Sequence, residues 1–420
     1  MLERFADAIR SYRINTSAPG ENEEQTMSSK DQWLLPEGVD EVLPPEAWRL
    51  EYARRELLDL FSCWGYDLIM PPLIEYLESL LTGTGNDLDL QTFKVTDQLT
   101  GRMMGLRADM TPQAARIDAH PLQRSEPTRL CYMDTVLHTR TDGFGSSRSP
   151  LQVGAELFGH AGVESDVEII SLLLASLQLL SIPELHIDLG HVGIFRGLAR
   201  DAGLSAQQEN ELFDALQRKA VPEIDVMLEA YVDDAGQRQR LGALASLNGD
   251  RSVLVRAGEQ LAGASEPVLA ALENLSAIAT LIEQRGGGET LNFDLAELRG
   301  YRYQTGMVFA VFVPGRGQEI ARGGRYDAIG KVFGRSRPAT GFSTDLRQLM
   351  QLSSRSFADR GGTILAPAGE DVELLSVVQA LRQSGERVIR TLPGQDGDAT
   401  DMGCDRVLVN EQGKWVVKQA

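Results

Sequence analysis

The fold is decided by RGYRYQTGMVFAVFV at residues 299–313, together with ARGGRYD at residues 321–327 and TGFSTDLRQL at residues 340–349. Residues 307–313 are rich in Val and Phe, which predicts a strand buried on both faces. A Gly-Arg-Gly turn leads to a second strand, where Gly323-Gly324 lets the backbone approach whatever Arg325 and Tyr326 face. Glycines, arginines and tyrosines among buried strands indicate a small-molecule pocket on a sheet. A plain hairpin with solvated arginines fits this stretch, taken alone, about equally well.

The composition bounds the class of protein. A chain of 420 residues, 42% hydrophobic and 24% charged, is typical of a globular protein with about two to three domains. It has no apolar run of the ~18 residues that a membrane-spanning helix needs, so we expect no membrane partner. Residues 1–26 lack the cleavage pattern of a signal peptide, and we interpret them as a disordered tail or the product of an upstream start codon.

The spacing of the cysteines and histidines, together with the net charge, limits which ligands and partners we expect. Cys63, Cys131 and Cys404 lie far apart, which fits a reducing cytoplasm and offers no metal framework. The five histidines show no metal-ligand spacing either, so we expect neither a metal nor a cofactor. A net charge of −19 opposes the long-range attraction of a polyanion, which counts against tRNA or DNA as the main partner.

Hydrophobic patterning predicts an α+β fold in which an antiparallel sheet is flanked by helices. Strands are predicted at residues 66–74, 93–96, 102–106, 129–137, 151–158, 186–190 and 307–313. Helices are predicted at residues 45–64, 165–180 and 192–202, and a helical insertion without strands at about 203–285. A small α/β unit follows, with strands at 363–366, 387–391, 406–410 and 414–417 and a helix at 371–383. We therefore expect one domain over residues 27–352 and a second over residues 355–420.

Five short motifs occur in order: Gly65-Tyr66 leading to Pro72, Arg107-Ala108-Asp109-Met110-Thr111, QVGAELFG at residues 152–159, Arg299-Gly300, and GGRYD at residues 323–327. The second and third are similar to Arg-Pro-Glu-Gly-Thr and Gln-Leu-Gly-Cys-Glu-Val-Phe-Gly of histidyl-tRNA synthetase, a class II aminoacyl-tRNA synthetase. The last two resemble its histidine-specific segments. The resemblance covers roughly residues 31–352 and implies the class II synthetase-like catalytic-domain fold, with the first motif at a dimer interface.

The chain departs from the synthetase pattern where ATP would bind. An Arg-x-Glu of the synthetase is His138-Thr139-Arg140 in an ungapped alignment, and an arginine of its third motif is Gln348. Loss of a preorganised donor of this kind costs on the order of 10²–10³ in rate. The resemblance therefore implies a lost ATP site, with His138, Arg140 and Gln348 at the changed positions and no aminoacylation.

The amino-acid pocket is retained more fully. The resemblance implies histidine binding by seven residues: Asp109, Thr111, Gln152, Glu156, Arg299, Tyr303 and Tyr326. An acid would take the ammonium group, a cation the carboxylate, and polar side chains the imidazole nitrogens. Arg302 and Gln304 stand where the synthetase has Asp and Tyr, which puts unchanged geometry in doubt.

A kept histidine pocket with a lost ATP site resembles the regulatory subunit of ATP phosphoribosyltransferase. Residues 33–45 (WLLPEGVDEVLPP), 107–111 and 188–198 (DLGHVGIFRGL) are similar to that family rather than to synthetases. The resemblance implies a non-catalytic subunit that activates the short-form catalytic subunit and binds L-histidine for feedback inhibition of the first step of histidine biosynthesis. It also implies a homodimer through the synthetase-like interface, within a hetero-octamer.

The sequence contains no motif of the common nucleotide-binding, hydrolase or phosphoribosyltransferase sites. The sequence has no P-loop, no Gly-x-Gly-x-x-Gly after a strand, no Gly-x-Ser-x-Gly elbow and no phosphoribosyl-pyrophosphate loop, so catalysis would belong to the partner. Two alternatives remain: an active histidyl-tRNA synthetase, which would catalyse ATP–pyrophosphate exchange, and a synthetase-like tRNA sensor, which would bind tRNA in a salt-sensitive way.

Arg299 provides a test of the predicted pocket. Arg299→Ala removes the cation expected near the histidine carboxylate, so it should weaken histidine inhibition of the assembled complex and leave basal activation largely intact. Steady-state rates with and without histidine measure both quantities. Unchanged inhibition would remove Arg299 from the site.

Overall fold

The computed structural model describes residues 33–81, 86–141, 147–286, 290–296, 300–301, 303–355 and 362–420. The α-helices are Glu46–Cys63 (α1), Leu77–Leu81 (α2), Asn86–Gln91 (α3), Thr111–Ile117 (α4), Val163–Leu179 (α5), Val192–Asp201 (α6), Ala206–Gln217 (α7), Val221–Tyr231 (α8), Ala235–Ala243 (α9), Ser252–Gln260 (α10), Glu266–Gln284 (α11), Leu346–Leu352 (α12) and Val372–Gln383 (α13). The segment interpreted as a tail, residues 1–26, lies outside the described residues.

The strands are Asp67–Leu68 (β1), Ile74–Tyr76 (β2), Lys94–Thr96 (β3), Met103–Leu106 (β4), Thr128–Thr135 (β5), Leu151–Phe158 (β6), His186–His191 (β7), Asn248–Gly249 (β8), Thr290–Asp294 (β9), Met307–Phe312 (β10), Ala321–Arg325 (β11), Ala339–Asp345 (β12), Thr363–Ala366 (β13), Arg387–Arg390 (β14), Arg406–Glu411 (β15) and Lys414–Gln419 (β16). They form sheets of nine, four and three strands.

The nine-stranded sheet has the order β1-β5-β6-β12-β11-β10-β7-β9-β8. Its six central strands, from β5 to β7, all pair antiparallel, as predicted. Strand β1 joins β5 in parallel at one end, and β9 joins β7 in parallel at the other. The sheet as a whole is therefore mixed, with the predicted antiparallel arrangement at its centre.

One face of this sheet carries the main hydrophobic core. Along β6, Val153, Ala155 and Leu157 belong to the same buried cluster as side chains of α1, α5, α6 and α11. Successive side chains of a strand point to opposite faces, so the intervening residues Gln152 and Glu156 lie on the other face. Strand β10 is buried along nearly all its length, which confirms the two-sided burial predicted for it.

Two predictions of local structure were wrong. Residues 66–74 do not form one strand, because β1 and β2 belong to different sheets and Pro71-Pro72 lies between them. Pro71-Pro72 predicts a position at an edge or interface rather than within a sheet, and β1 does end the nine-stranded sheet. The helical insertion contains α7 to α11 but also β8, whose Asn248-Gly249 pairs with β9.

The insertion is attached to the sheet domain through Tyr301. The Tyr301 ring lies 5.4 Å from the ring of Phe195 on α6 and 5.2 Å from that of Phe213 on α7. Its hydroxyl donates a hydrogen bond to Glu209 of α7. Arg196 lies over the same ring at 4.7 Å and donates to the Tyr301 carbonyl oxygen. A single buried tyrosine thus joins the loop after β9 to two helices.

The C-terminal unit has the predicted elements. Its sheet order is β14-β13-β15-β16, and α13 contributes Leu374 and Val378 to a core separate from that of the nine-stranded sheet. We propose on this basis that residues 355–420 are a domain distinct from residues 27–352. Among the helices that the structure describes, none has the length and apolarity needed to cross a lipid bilayer.

Candidate functional site

A cleft of about 1310 Å³ lies over the polar face of the nine-stranded sheet. Six of the seven residues predicted for the pocket line it: Asp109, Thr111, Gln152, Glu156, Tyr303 and Tyr326. They come from the loop before α4 and the first residue of α4, from β6, and from the segments before β10 and after β11. The seventh, Arg299, lies outside the described residues. Segments almost 220 residues apart in the sequence therefore meet in one cleft.

The buried end of the cleft is built around Glu156. The Tyr132 hydroxyl donates to Glu156 Oε1 at 2.9 Å, and the Tyr326 hydroxyl donates to Glu156 Oε2. Tyr132 also shares a hydrogen bond with Thr111 Oγ1 at 3.1 Å. Glu156 is only 1% exposed and both tyrosines are fully buried. The carboxyl group is thus held between two phenols at the base of the cleft.

Glycines on the neighbouring strands make room for this arrangement. Gly341 of β12 pairs with Glu156, and a Cβ there would lie 1.6 Å from Glu156 Oε2. Gly154 of β6 pairs with Tyr132, and a Cβ there would lie 2.4 Å from the Tyr132 ring. Any side chain at these two positions would displace the carboxyl group or the phenol, so both glycines are required by close approach.

Burial raises the pKa of Glu156 to about 8, and the charge of Asp109 acts in the same direction. Hydrogen bonds from Tyr326, Tyr132 and Thr111 oppose this shift without cancelling it. Burial likewise places the pKa of Tyr132 and of Tyr326 well above the usual value. In the empty cleft near pH 7 the Glu156 group is therefore mostly the neutral acid, able to donate one hydrogen bond and accept others.

The other end of the pocket is organised by Asp109. Its Oδ1 accepts hydrogen bonds from Gln152 Nε2 at 2.8 Å and from the Thr111 backbone N–H at 3.0 Å. Gln152 Oε1 in turn accepts from the Met110 backbone N–H at 2.9 Å. This network fixes a carboxylate at the cleft wall, where it can bind an ammonium group.

Two buried arginines support the pocket from outside it. Arg107 bonds the carbonyl oxygens of Thr135 and Pro71 and lies 2.7 Å from Asp134, which fixes the loop carrying Asp109. Arg325 lies 2.9 Å from the buried Asp166 and fixes the backbone just before Tyr326.

The positions predicted to have lost ATP contacts differ in their placement. His138 and Gln348 line the cleft, whereas Arg140 is exposed and lies outside the described lining. His138 Nε2 is 2.8 Å from the Ala108 carbonyl oxygen, so that ring nitrogen is occupied by the protein. Arg347 donates to the Asp40 carbonyl oxygen at 3.1 Å. The segment at residues 33–45, called the entry segment below, therefore lies along this half of the cleft.

Two further residues belong to the site although their sequence context did not mark them as ligands: Gln304 lines the cleft, and the fully buried Tyr132 lies behind the lining and bonds Glu156. Tyr132 lies in the apolar pattern of β5, and only its pairing opposite Gly154 would have indicated a ring packed beside Glu156. Gln304 was noted only as a departure from the synthetase pattern. In the part of the chain that the structure describes, no three His, Cys, Asp or Glu side chains are grouped as metal ligands.

Glu156→Gln tests the protonation of the buried carboxyl group. Because the pKa of Glu156 in the folded protein lies above the ordinary glutamate value of 4.5, the folded protein binds more protons than the unfolded chain between pH 4.5 and about 8. Stability should therefore fall as pH rises through this window, with a slope approaching about 1.4 kcal/mol per pH unit. The Gln variant should lack this contribution. Chemical unfolding without ligand from pH 5 to pH 9 measures the difference.

Glu229→Gln is the matched control, because Glu229 is exposed on α8. It should keep the wild-type pH dependence. A Glu156→Gln variant with that same dependence would mean that Glu156 is ionised throughout the window.

Comparison with known proteins identifies related families and folds. A family model described as histidyl-tRNA synthetase matches residues 38–349, and one described as the ATP phosphoribosyltransferase subunit HisZ C-terminal domain matches residues 361–418. Among solved structures, an ATP phosphoribosyltransferase regulatory subunit/histidyl-tRNA synthetase from Bacillus halodurans has a TM-score of 0.78 at 28% identity, covering 88% of this chain and 95% of that one. Histidyl-tRNA synthetase from Nostoc has a TM-score of 0.73 at 20% identity, covering 92% and 97%, which supports the fold alone.

Curated proteins of similar sequence have higher identities to this chain than these solved structures. The ATP phosphoribosyltransferase regulatory subunit of Thioalkalivibrio sulfidiphilus is 60% identical over 392 residues, covering 93% of this chain and 99% of that protein. The protein of the same name from Alkalilimnicola ehrlichii is 58% identical over 397 residues, covering 94% and 99%. The predicted class II synthetase-like fold is thereby confirmed, and the chain belongs to the family of ATP phosphoribosyltransferase regulatory subunits.

Proposed function

We propose that the chain is a non-catalytic subunit that binds L-histidine in the cleft and transmits its presence to the short-form catalytic subunit of ATP phosphoribosyltransferase. The observation that carries the proposal is the separation of two acidic groups in one pocket. Asp109 is held as a hydrogen-bond acceptor at the wall, and Glu156 is buried between Tyr132 and Tyr326 at the base. The first suits an ammonium group and the second a polar ring that can both donate and accept.

Histidine matches this division of chemistry. Its ammonium would pair with Asp109, supported by Gln152 and Thr111. Its imidazole would reach the neutral Glu156 and the hydroxyl of Tyr326. The carboxylate of histidine would bind Arg299, an assignment that rests only on the resemblance to histidyl-tRNA synthetase. Coupling to a partner requires that histidine bind two states of the complex unequally, typically by ~1–3 kcal/mol.

Several features favour a regulatory role over aminoacylation. The predicted ATP-binding cations are replaced by His138 and Gln348, and the entry segment lies along that half of the cleft. The relatives carry the name of a regulatory subunit over nearly their full length. The net charge of −19 repels the phosphates of tRNA, and the small C-terminal domain offers little surface for binding it. The three cysteines are free thiols, consistent with action in the cytoplasm.

We also propose a homodimer formed through the edge at β1, within a hetero-octamer with catalytic subunits. Large apolar side chains are exposed along this edge and the following segment: Leu68 (44%), Met70 (74%), Leu73 (42%) and Ile74 (40%). A contiguous exposed apolar patch of this kind typically marks a protein interface. A homodimer buries it in each copy.

Isothermal titration calorimetry with histidine tests the binding proposal. Asp109→Asn keeps the shape of the side chain and removes its charge, so the dissociation constant should rise by at least ~10-fold, equivalent to about 1.4 kcal/mol or more. In the assembled complex the same variant should need correspondingly more histidine for inhibition. Glu229→Gln, which removes an exposed charge far from the cleft lining, should change neither quantity.

Two further measurements separate the alternatives. Histidine-dependent ATP–pyrophosphate exchange by the chain alone would contradict the proposal and favour an active synthetase. Tight tRNA binding that weakens steeply with salt would favour the tRNA sensor. We expect neither.

Met70→Glu tests the homodimer. A charge placed in a buried apolar interface is costly, so the isolated chain should shift from twice the monomer mass toward the monomer mass in analytical ultracentrifugation. Val226→Glu is the control, because Val226 is 67% exposed on α8, away from this edge. An unshifted Met70→Glu protein would exclude the edge as the interface.

A further inference from the structure

The loop that carries Asp109 is held on one side by the chain that follows β5. The Leu137 backbone N–H donates to the Arg107 carbonyl oxygen at 3.0 Å. The next residue, His138, bonds the next carbonyl oxygen of the loop, since its Nε2 lies 2.8 Å from the oxygen of Ala108. A carbonyl oxygen can only accept, so Nε2 carries a proton and is the donor. Two successive carbonyl oxygens are therefore fixed, one by backbone and one by an imidazole.

Both peptide groups that flank Asp109 are bonded by side chains. The Ala108 carbonyl belongs to the peptide group before Asp109 and accepts from His138. The Met110 N–H belongs to the peptide group after it and donates to Gln152 Oε1 at 2.9 Å. Because a planar peptide leaves only φ and ψ free at each residue, fixing both neighbouring peptide groups fixes the direction in which the side chain leaves the backbone. His138 and Gln152 therefore set together where the Asp109 carboxylate points.

The imidazole of His138 is attached to a backbone that is itself held in place. The His138 N–H donates to the Arg148 carbonyl oxygen at 2.8 Å, and the His138 carbonyl oxygen accepts from Arg148 Nε at 3.0 Å. Arg148 also donates to the Glu37 carbonyl oxygen of the entry segment at 3.1 Å. His138 lines the cleft together with Ala108 and Asp109. A support that is already ordered loses little freedom when it holds a neighbouring loop, so this contact is well suited to preorganise the loop.

We propose that His138 is a positioning residue for Asp109, and thereby for the binding of the ligand's ammonium group. This inference rests on the proposed binding of histidine and adds to that pocket a residue that is not one of its predicted ligands. In the ungapped alignment, His138 replaces the arginine of the Arg-x-Glu that binds ATP in the synthetase. One substitution thus removes a cation from the nucleotide half of the cleft and adds a hydrogen bond to the loop of the amino-acid half.

His138→Leu tests the inference, because leucine is apolar and cannot donate to Ala108. By titration calorimetry on the full chain, the dissociation constant for histidine should rise about 5- to 10-fold, the loss expected when one such hydrogen bond is removed. His138→Gln should stay within about 2-fold of the wild-type constant, because the glutamine amide carries an N–H with a reach similar to that of Nε2.

A double-mutant cycle with Asp109→Asn separates positioning from a general loosening of the cleft. If His138 acts through the Asp109 carboxylate, His138→Leu should change the dissociation constant by no more than about 2-fold once that charge is gone. A general loosening does not depend on the charge at position 109, so it would cost the same factor in both backgrounds.

His186→Leu is the matched control. It also removes an imidazole, but His186 lies on β7, outside the described cleft lining. This variant should bind histidine within about 2-fold of the wild-type constant. Each variant is first checked for a cooperative unfolding transition. His138→Asn, whose amide is shorter than the reach of Nε2, replaces His138→Leu if that variant does not fold.

The outcomes are distinguishable. If the wild type binds histidine and His138→Leu binds it equally well, the positioning role is overturned while the proposed function stands. An equal loss in the wild-type and Asp109→Asn backgrounds also overturns the role. If the wild type does not bind histidine, both are overturned. A loss that His138→Gln restores, and that disappears in the Asp109→Asn background, supports the assignment.

Discussion

The carboxyl group of Glu156, buried at the base of the cleft, requires hydrogen-bond donors and space that several other segments of the chain must supply. Glu156 lies on a central strand of the sheet, where burial without donors would be costly. The protein supplies the Tyr132 and Tyr326 hydroxyls from two other segments and keeps glycines at 154 and 341 so that these groups fit. The register of β5, β6 and β12 is therefore tied to the chemistry of the site, since a shift of one residue would turn Glu156 into the hydrophobic core.

The two halves of the cleft differ in the side-chain groups that are available to a ligand. The half around Glu156 and Asp109 presents hydrogen-bonding groups held by other buried groups, which is the organisation expected of a pocket for a small polar molecule. In the other half, His138 is bonded to backbone and Arg347 holds the entry segment.

Hydrophobic patterning was enough to predict a central antiparallel sheet, and the resemblance to histidyl-tRNA synthetase supplied the six residues that meet in the cleft. Local pattern could not reveal Tyr132, because its role depends on pairing with Gly154, 22 positions along the chain. It also failed for residues 66–74, where the two halves of an apparent strand pair with different partners. Gln304 was noted only as a departure from the synthetase pattern, because its burial beside Tyr303 is visible only in three dimensions.

The turn before β10 connects the cleft with the helical insertion. Tyr301 packs between α6 and the insertion helix α7, and Tyr303, two positions later, lines the cleft. Arg196 donates to the carbonyl oxygens of Tyr301 and Gln304, which lie on either side of Tyr303. One short turn therefore carries both a ring packed on the insertion and a ring that lines the cleft. We expect a ligand that moves this turn to be felt in the insertion as well, because the two tyrosines share the same piece of backbone.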